Sequence, residues 1–373
     1  MTEEARSEWR RDLYPAVVLG LISSSFSTAV SQLAAGRLGR DASVDWMTVA
    51  SIPFGNDILT AEPTGSAIAA GIAFHQWADF SWALFFFVAM RRWTAPLDAA
   101  ALAGLTLPWA LATSFLEWAC LVPLFPFRQP IFPLQQPYWI GFLVHLSSAA
   151  IYPLYPALRT WLVHRRSPSG RVSLAIAAAI CVLMGLAAAD LYARHRGEVR
   201  WIGGDSDGEP DRTFLRHMHA HHQQGIQLAG LGIERAQSDH LRQVANLMVA
   251  SQAGEVRVFE RWWRSWFGAS IESCGSSERA EMPGYLSDDE LAKVAEADDA
   301  GFDSAFIEAM TIHHKGAVRM ADRQLGEGRD IRLRALAHAI RHEQQGEIAL
   351  MRGLSGSRAV HAALRFMAAD VVN

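Results

Sequence analysis

The sequence predicts an all-α protein in two parts, a polytopic bundle of about five transmembrane helices followed by a four-helix bundle made of two repeated helical hairpins. Three observations carry that expectation. Long apolar stretches with few charges recur up to about residue 195; charged and polar residues with clustered histidines dominate from Gly203 onward; and the second part repeats itself at a fixed offset. The length of 373 residues exceeds a typical single domain. A net charge of −4 without any Lys/Arg-dense block leaves no electrostatic footprint for nucleic acid, which is not expected as a partner. Three cysteines cannot close a disulfide framework. Cys120 and Cys181 lie in apolar runs, leaving Cys274 as a lone thiol in a polar segment.

Residues 1–200 read as the membrane domain. Five stretches come near the roughly 20 apolar residues that cross a bilayer core: Tyr14 to Ala35, Ser66 to Met90, Ala99 to Phe125, Tyr138 to Val163 and Val172 to Ala193. The second, third and fifth are the clearest. The first carries a polar stripe of Ser23, Ser24, Ser25, Ser27, Thr28, Ser31 and Gln32, yet the acidic start Thr2-Glu3-Glu4 does not fit a cleavable signal, so it reads as a span. With the N-terminus inside, nine arginines flank the inner span ends and six the outer ones, and cationic residues favour the cytoplasmic side. That bias puts the C-terminal part outside the cytoplasm.

Ionisable groups at mid-membrane each cost roughly 2.5 to 3.5 kcal/mol. His75 and Asp79, four apart, share a helix face, and Glu117 and His145 fall in the third and fourth stretches. Two readings stay open for this intramembrane polar set: a proton or metal-ion path, or groups that satisfy one another between helices or lie nearer the membrane interface.

The second part repeats at an offset of 92 residues without a gap. Asp211 matches Asp303, Phe214 matches Phe306, Met218 matches Met310, and His221-His222 matches His313-His314; later matches include Gln252 with Gln344 and Glu255 with Glu347. Two copies of one supersecondary unit follow. Each copy reads as two helices. Apolar residues at three and four spacing, Phe214, Met218, Ile226 and Ala229 in one copy and Phe306, Met310, Val318 and Ala321 in the other, give the first helix its buried stripe. Asp211 and Asp303 suit a helix start. Gln237-Ser238-Asp239 and Gly326-Glu327-Gly328 supply the turns. An amphipathic pair cannot bury its stripe alone, so the two hairpins, residues 211–267 and 303–354, pack together within a domain of residues 205–357, followed by a tail over residues 358–373.

The unit Asp211-x-x-Phe214-x-x-x-Met218-x-x-His221-His222, its twin from Asp303 to His314, the intervening Met282-Pro283-Gly284, and the pairs Gln252/Glu255 and Gln344/Glu347 resemble the bacterial domain-of-unknown-function family 305 over about residues 205 to 355. The resemblance implies a ferritin-like four-helix bundle, typically outside the cytoplasm, and some members are associated with copper. The chain has Met282-Pro283-Gly284-Tyr285 where many members have a second methionine, so one soft ligand is missing.

The side chains themselves suit a metal ion. On a helix, His217 with His221, Met218 with His222, Met310 with His313 or His314, and His313 with Met320 can each converge, and the last helix adds His338 and His342 four apart, followed by Glu343, Glu347 and Met351. Imidazole with thioether favours copper, especially Cu(I). No cysteine lies near these helices in sequence, which argues against a thiolate zinc site. The Glu-x-x-His spacing of carboxylate di-iron bundles is missing as well. The bland alternative is a buried histidine network with methionines as core packing. Gln252, Glu255, Gln344 and Glu347 either brace the helices or orient the histidines.

Phe259, Trp262, Trp263, Trp266 and Phe267, mixed with Arg257, Arg261 and Arg264, suit either a membrane interface or packing inside the bundle. No nucleophile-base constellation or phosphate-binding glycine motif is present, so enzymatic activity is not expected. The expected protein is anchored in a bacterial inner membrane, has its C-terminal domain outside the cytoplasm, meets a lipid bilayer and metal ions, and captures or senses copper. A transporting membrane domain, a structural or partner-binding helical module without metal, and a homo-oligomer stay open.

Overall fold

The computed structural model describes residues 3–122, 131–164, 178, 208–354 and 356–368, and no strand occurs among them. In chain order the main helices are α1 (Glu3–Arg37), α2 (Ala42–Phe54), α3 (Gly65–Leu84), α4 (Ala99–Leu116), α5 (Ile131–Gln135), α6 (Tyr138–Ala149) and α7 (Tyr155–His164), then α8 (Glu209–Arg235), α9 (Asp239–Phe267), α10 (Asp288–Glu296), α11 (Asp299–Glu327), α12 (Ile331–Met351) and α13 (Gly356–Ala368). The chain divides into two compact units. One comprises Met1–Leu33, Ile72–Cys120 and Trp139–Val199; the other comprises Ala34–Gly71, Leu121–Tyr138 and Arg200–Asn373.

In the first unit, Leu19, Phe86, Phe87, Leu102, Tyr152 and Tyr155 form a buried cluster, with Phe87 and Tyr155 stacked at 4.0 Å. Among the described residues, three helices are long and apolar enough to cross a membrane: Asp12–Arg37, Ala99–Leu121 and Tyr138–Val163. The stretch from Ser66 to Met90 forms α3 and a π turn but is not among them, because His75, Gln76 and Asp79 in mid-helix dilute its apolar run. The stretch from Val172 to Ala193 lies outside the described residues.

In the second unit, α8 and α9 form one antiparallel hairpin and α11 and α12 the other; α8 also packs on α11, and α9 on α12. Short-range signals set the ends. Ser238 caps α9 through the Leu241 amide, Gly268 closes it in a left-handed conformation (φ 68°), and Ser287 with Glu290 makes a capping box on α10. Gly326 and Glu327 are helical, and the turn falls at residues 328–330, where Asp330 caps α12. Phe214, Met218, Val258, Trp263, Leu336 and Ile340 are among the residues of the apolar core, and Trp262 joins them. Arg212 lies over Trp263 and Arg332 over Trp266, so the aromatic end of α9 is spent on packing within the bundle.

Asp211 and Asp303 sit inside their helices and cap the opposite hairpin. Asp211, fully buried, accepts from the amides of Arg329 and Asp330 in the turn of the second hairpin; Asp303 accepts from Gln237 and Ser238 in the turn of the first. The offset of 92 residues relates both ends of the two contacts, so the hairpins lock each other by the same bond made twice.

The second unit reaches beyond the repeat. Segments holding α2 and α5 lie against α9 and α12, and α13 packs on both α12 and α5. Two equivalent glycines admit the early segments. A Cβ at Gly254 would come within 2.7 Å of the Asp41 side chain, and one at Gly346 within 2.0 Å of the Leu134 carbonyl.

Candidate metal centre

The paired histidines meet where α8 crosses α11. The rings of His221 and His313 lie 3.8 Å apart between centroids, and His221, His222, His313 and His314 are all fully buried. Their Nε2 atoms are engaged. His222 pairs with Glu255 at 2.6 Å and His314 with Glu347 at 2.6 Å, contacts related by the 92-residue offset. The inner pair departs from that symmetry, since His313 Nε2 meets the carbonyl of His221 at 3.0 Å whereas His221 Nε2 meets the carbonyl of Pro283 at 3.2 Å. Met282-Pro283-Gly284 reaches this place because Gly284 (φ 72°) and Gly316 let two backbones touch; a Cβ on Gly316 would fall 1.9 Å from the Pro283 oxygen. Gly225 leaves similar room for the His313 ring and the Gln252 amide.

The Nδ1 atoms of all four rings are buried without a hydrogen-bond partner, as are both polar atoms of the Gln252 side chain. Burial holds His221 and His313 well below the usual imidazole range, reinforced by neighbouring histidines, and His222 down to about 4, so neutral rings are favoured. A neutral ring whose Nε2–H is held by an ionised carboxylate presents its Nδ1 lone pair, the arrangement by which carboxylates orient metal-binding imidazoles; Glu255, pushed up by burial, takes that form when it gives up its proton, which a bound cation favours. Glu255 and Glu347 thus stand where they can orient His222 and His314. The residues fit a soft or borderline cation. Met218 and Met310, buried one turn before His222 and His314, are the thioethers on the same helices.

The other sequence candidates separate from this centre. His217 turns to Glu278 at 2.7 Å, beside Cys274. His342 meets the carbonyl of Pro133 at 2.9 Å, and burial lowers it to about 4. His338 is half-buried one turn earlier on the same helix. Met320 packs in the apolar core with Met218.

Beside the histidines lies a buried ionic cluster. Arg40 pairs with Asp45 at 2.6 Å and with Glu343 at 3.4 Å, and Gln135 donates to Glu343. Burial works against the Arg40 charge, but Asp45, Glu343 and Glu255 more than offset it and hold the guanidinium ionised. Burial pushes Glu255 up to about 8, and Glu343 well above the carboxylate range. A polar cavity with room for about one water molecule is lined by Arg40, Asp41, Asp45, Ser251, Glu255 and Glu343. Arg40 and Gln135 carry no sequence signal for this role, because their partners lie some 200 to 300 residues away. Cys274 was equally hidden: no cysteine is near α8 in sequence, but the chain folds back to place one there.

In the first unit the polar residues that the sequence reading placed at mid-membrane form two groups. Ser27 donates to Asp79 and lies 3.1 Å from His75, which is 3.7 Å from Asp79. His145 is 3.4 Å from Glu117 and 3.1 Å from Thr113, and Trp82 donates to Glu117 at 2.9 Å.

Residues 211–355 match the model of a family described as Domain of unknown function (DUF305). Among solved structures, a DUF305 fragment from Deinococcus radiodurans is 31% identical, covering 39% of this chain and 95% of its own, with a TM-score of 0.37. A putative secreted DUF305 protein from Streptomyces coelicolor is 25% identical over 40% of this chain and 93% of its own, with a TM-score of 0.36. CopM in a Cu(I)-bound form is 25% identical over 38% and 93%, with a TM-score of 0.33. No curated protein matches the chain.

Proposed function

The chain belongs to the DUF305 family through residues 211–355, and on that premise we propose that it is a membrane-anchored protein whose ferritin-like bundle captures a soft metal ion, copper, outside the cytoplasm. One observation carries the proposal: four buried histidines on facing helices each keep an unpartnered Nδ1, and two of them are backed at Nε2 by carboxylates. A buried polar atom without a partner costs about 1 to 3 kcal/mol. Four in one place are an expensive arrangement that a bound cation relieves. His221, His222, His313 and His314 would hold the ion, with Met218 and Met310 as thioether donors, and imidazole with thioether selects Cu(I) among the common biological metals. The three apolar helices supply an anchor, and the side is taken from the arginine bias counted over the five apolar stretches of the sequence. The role is binding, not catalysis.

Elemental analysis of the purified full-length protein and Cu(I) titration against a chromophoric chelator test this reading. Replacing His222 and His314 together by Ala should weaken copper uptake at least tenfold; equal uptake by parent and variant defeats it. A second reading, ion movement through the first unit, is favoured by the assembled His75–Asp79–Ser27 and His145–Glu117 groups. Flux into vesicles that is unchanged by Asp79→Asn and Glu117→Gln removes it.

A further inference from the structure

We propose that Cys274, His217 and Glu278 form a second metal site, distinct from the central histidines, for a borderline divalent cation of the zinc class. One donor atom from each lies within 4.8 Å of the other two. A tetrahedral ion with bonds of about 2.0 to 2.3 Å needs donors roughly 3.3 to 3.8 Å apart, so small side-chain rotations bring the three into range. The site is built by two segments. His217 stands in the third turn of α8, one helical turn before His221. Beyond Gly268 the chain doubles back along α8, bringing Cys274 to the Arg216 carbonyl at 3.7 Å, and the short helix Ser276–Glu281 then presents Glu278 to His217 at 2.7 Å.

Burial is graded as an ion site requires. Cys274 is 7% exposed, whereas the His217 and Glu278 side chains are 24% and 28% exposed, so the sulfur is shielded and the other donors face the entry path. Thiolate, imidazole and carboxylate leave one tetrahedral position for water. The carboxylate oxygen shifts the preference from Cu(I) towards Zn²⁺, in contrast to the imidazole and thioether donors of the centre. Arg216 also contacts Glu278 and is the competing partner; Glu272, 3.5 Å from Arg216, is ready to take the guanidinium when Glu278 turns to the ion. Ion binding exchanges the Cys274 S–H proton for a metal–sulfur bond, and the proton leaves to solvent. The inference does not depend on the central site, which contains no thiol.

The test uses the full-length protein in detergent, with Cys120 and Cys181 changed to Ser so that one thiol remains. Co²⁺ serves as the spectroscopic probe and Zn²⁺ as the competitor. A sulfur-to-cobalt charge-transfer absorption should develop with one equivalent of Co²⁺, disappear on adding Zn²⁺, be absent in Cys274→Ser, and need at least tenfold more Co²⁺ in His217→Ala. The His222→Ala/His314→Ala variant, which reports on the copper reading, should keep the absorption. Zn²⁺ should also slow alkylation of Cys274 by iodoacetamide at least tenfold. No charge-transfer absorption in the single-thiol protein, or alkylation indifferent to Zn²⁺, overturns the assignment.

Discussion

The two hairpins of the bundle repeat one another in the His–Glu pairs of the centre and differ at the edge. At the centre, His222–Glu255 and His314–Glu347 repeat to the same 2.6 Å. At the edge, the second hairpin has His342 and Glu343 where the first has Ala250 and Ser251, and the first has His217 where the second has Ala309. Each departure is matched by a segment from outside the repeat. Glu343 receives Arg40 and Gln135 from the N-terminal half of the chain, and His217 receives Cys274 and Glu278 from the connection between hairpins. The duplicated part supplies a symmetric donor set, and the added segments attach to the positions where the copies diverge.

The largest expected effect comes from cutting the edge contact of the second hairpin. Arg40→Ala leaves the buried Glu343 and the partly buried Asp45 without their cation and should cost about 3 to 5 kcal/mol in denaturant unfolding followed by tryptophan fluorescence. A loss under 1 kcal/mol would mean that the two hairpins are energetically alike despite their edges.

The next effect is on pH. Glu255, raised from its ordinary 4.5 to about 8, stabilises fully below pH 4.5, and that contribution is lost as pH rises towards 8. His222 and His342, lowered from 6.5 to about 4, act oppositely: their contribution is full above pH 6.5 and lost as pH falls to 4. Between 4.5 and 6.5 the two histidines gain more than Glu255 loses, so the metal-free protein should be most stable near pH 6.5. From 6.5 to 8 it should lose on the order of 2 kcal/mol for Glu255 alone, since one group changes stability by at most about 1.4 kcal/mol per pH unit. In Glu255→Gln that alkaline loss should shrink in thermal unfolding curves.

The symmetry of the centre is tested by Glu255→Gln and Glu347→Gln, each of which should weaken Cu(I) binding roughly 10- to 100-fold in the chelator titration. Unequal effects of more than tenfold would show that one hairpin alone holds the ion. Capping is tested by Asp211→Ala, expected to cost about 2 kcal/mol, against Asp303→Ala, about 1 kcal/mol, because only Asp211 is fully buried. The smallest effect belongs to Arg257→Ala. This rim residue pairs with Asp41 at 2.7 Å but is half exposed, and should cost less than about 1 kcal/mol.

The repeat, the helical hairpins and the doubled histidines were legible in the sequence because each rests on local periodicity or on a gapless offset. The pairing of His222 with Glu255, 33 residues apart in both copies, was foreshadowed by the repeated Gln-x-x-Glu. What local pattern cannot show is which side chain arrives from far along the chain. Arg40, Gln135 and the Pro133 carbonyl approach α12 over some 200 to 300 residues, and their entry is marked only by Gly254 and Gly346, which read as unremarkable helix interior. Asp211 and Asp303 read as starts of their own helices, but they sit inside those helices, and each caps the other hairpin instead. The stretch from Ser66 to Met90 read as a clear span because its ends are apolar, while His75, Gln76 and Asp79 lie at its middle.

The exchange of caps between Asp211 and Asp303 has an ancestral corollary. A contact in which each copy gives its partner what it receives is the kind that two identical free chains make about a dyad. A lone hairpin with this aspartate would have been able to dimerise before the gene was doubled, and fusion through residues 268–298 would then have freed each half to acquire its own neighbours.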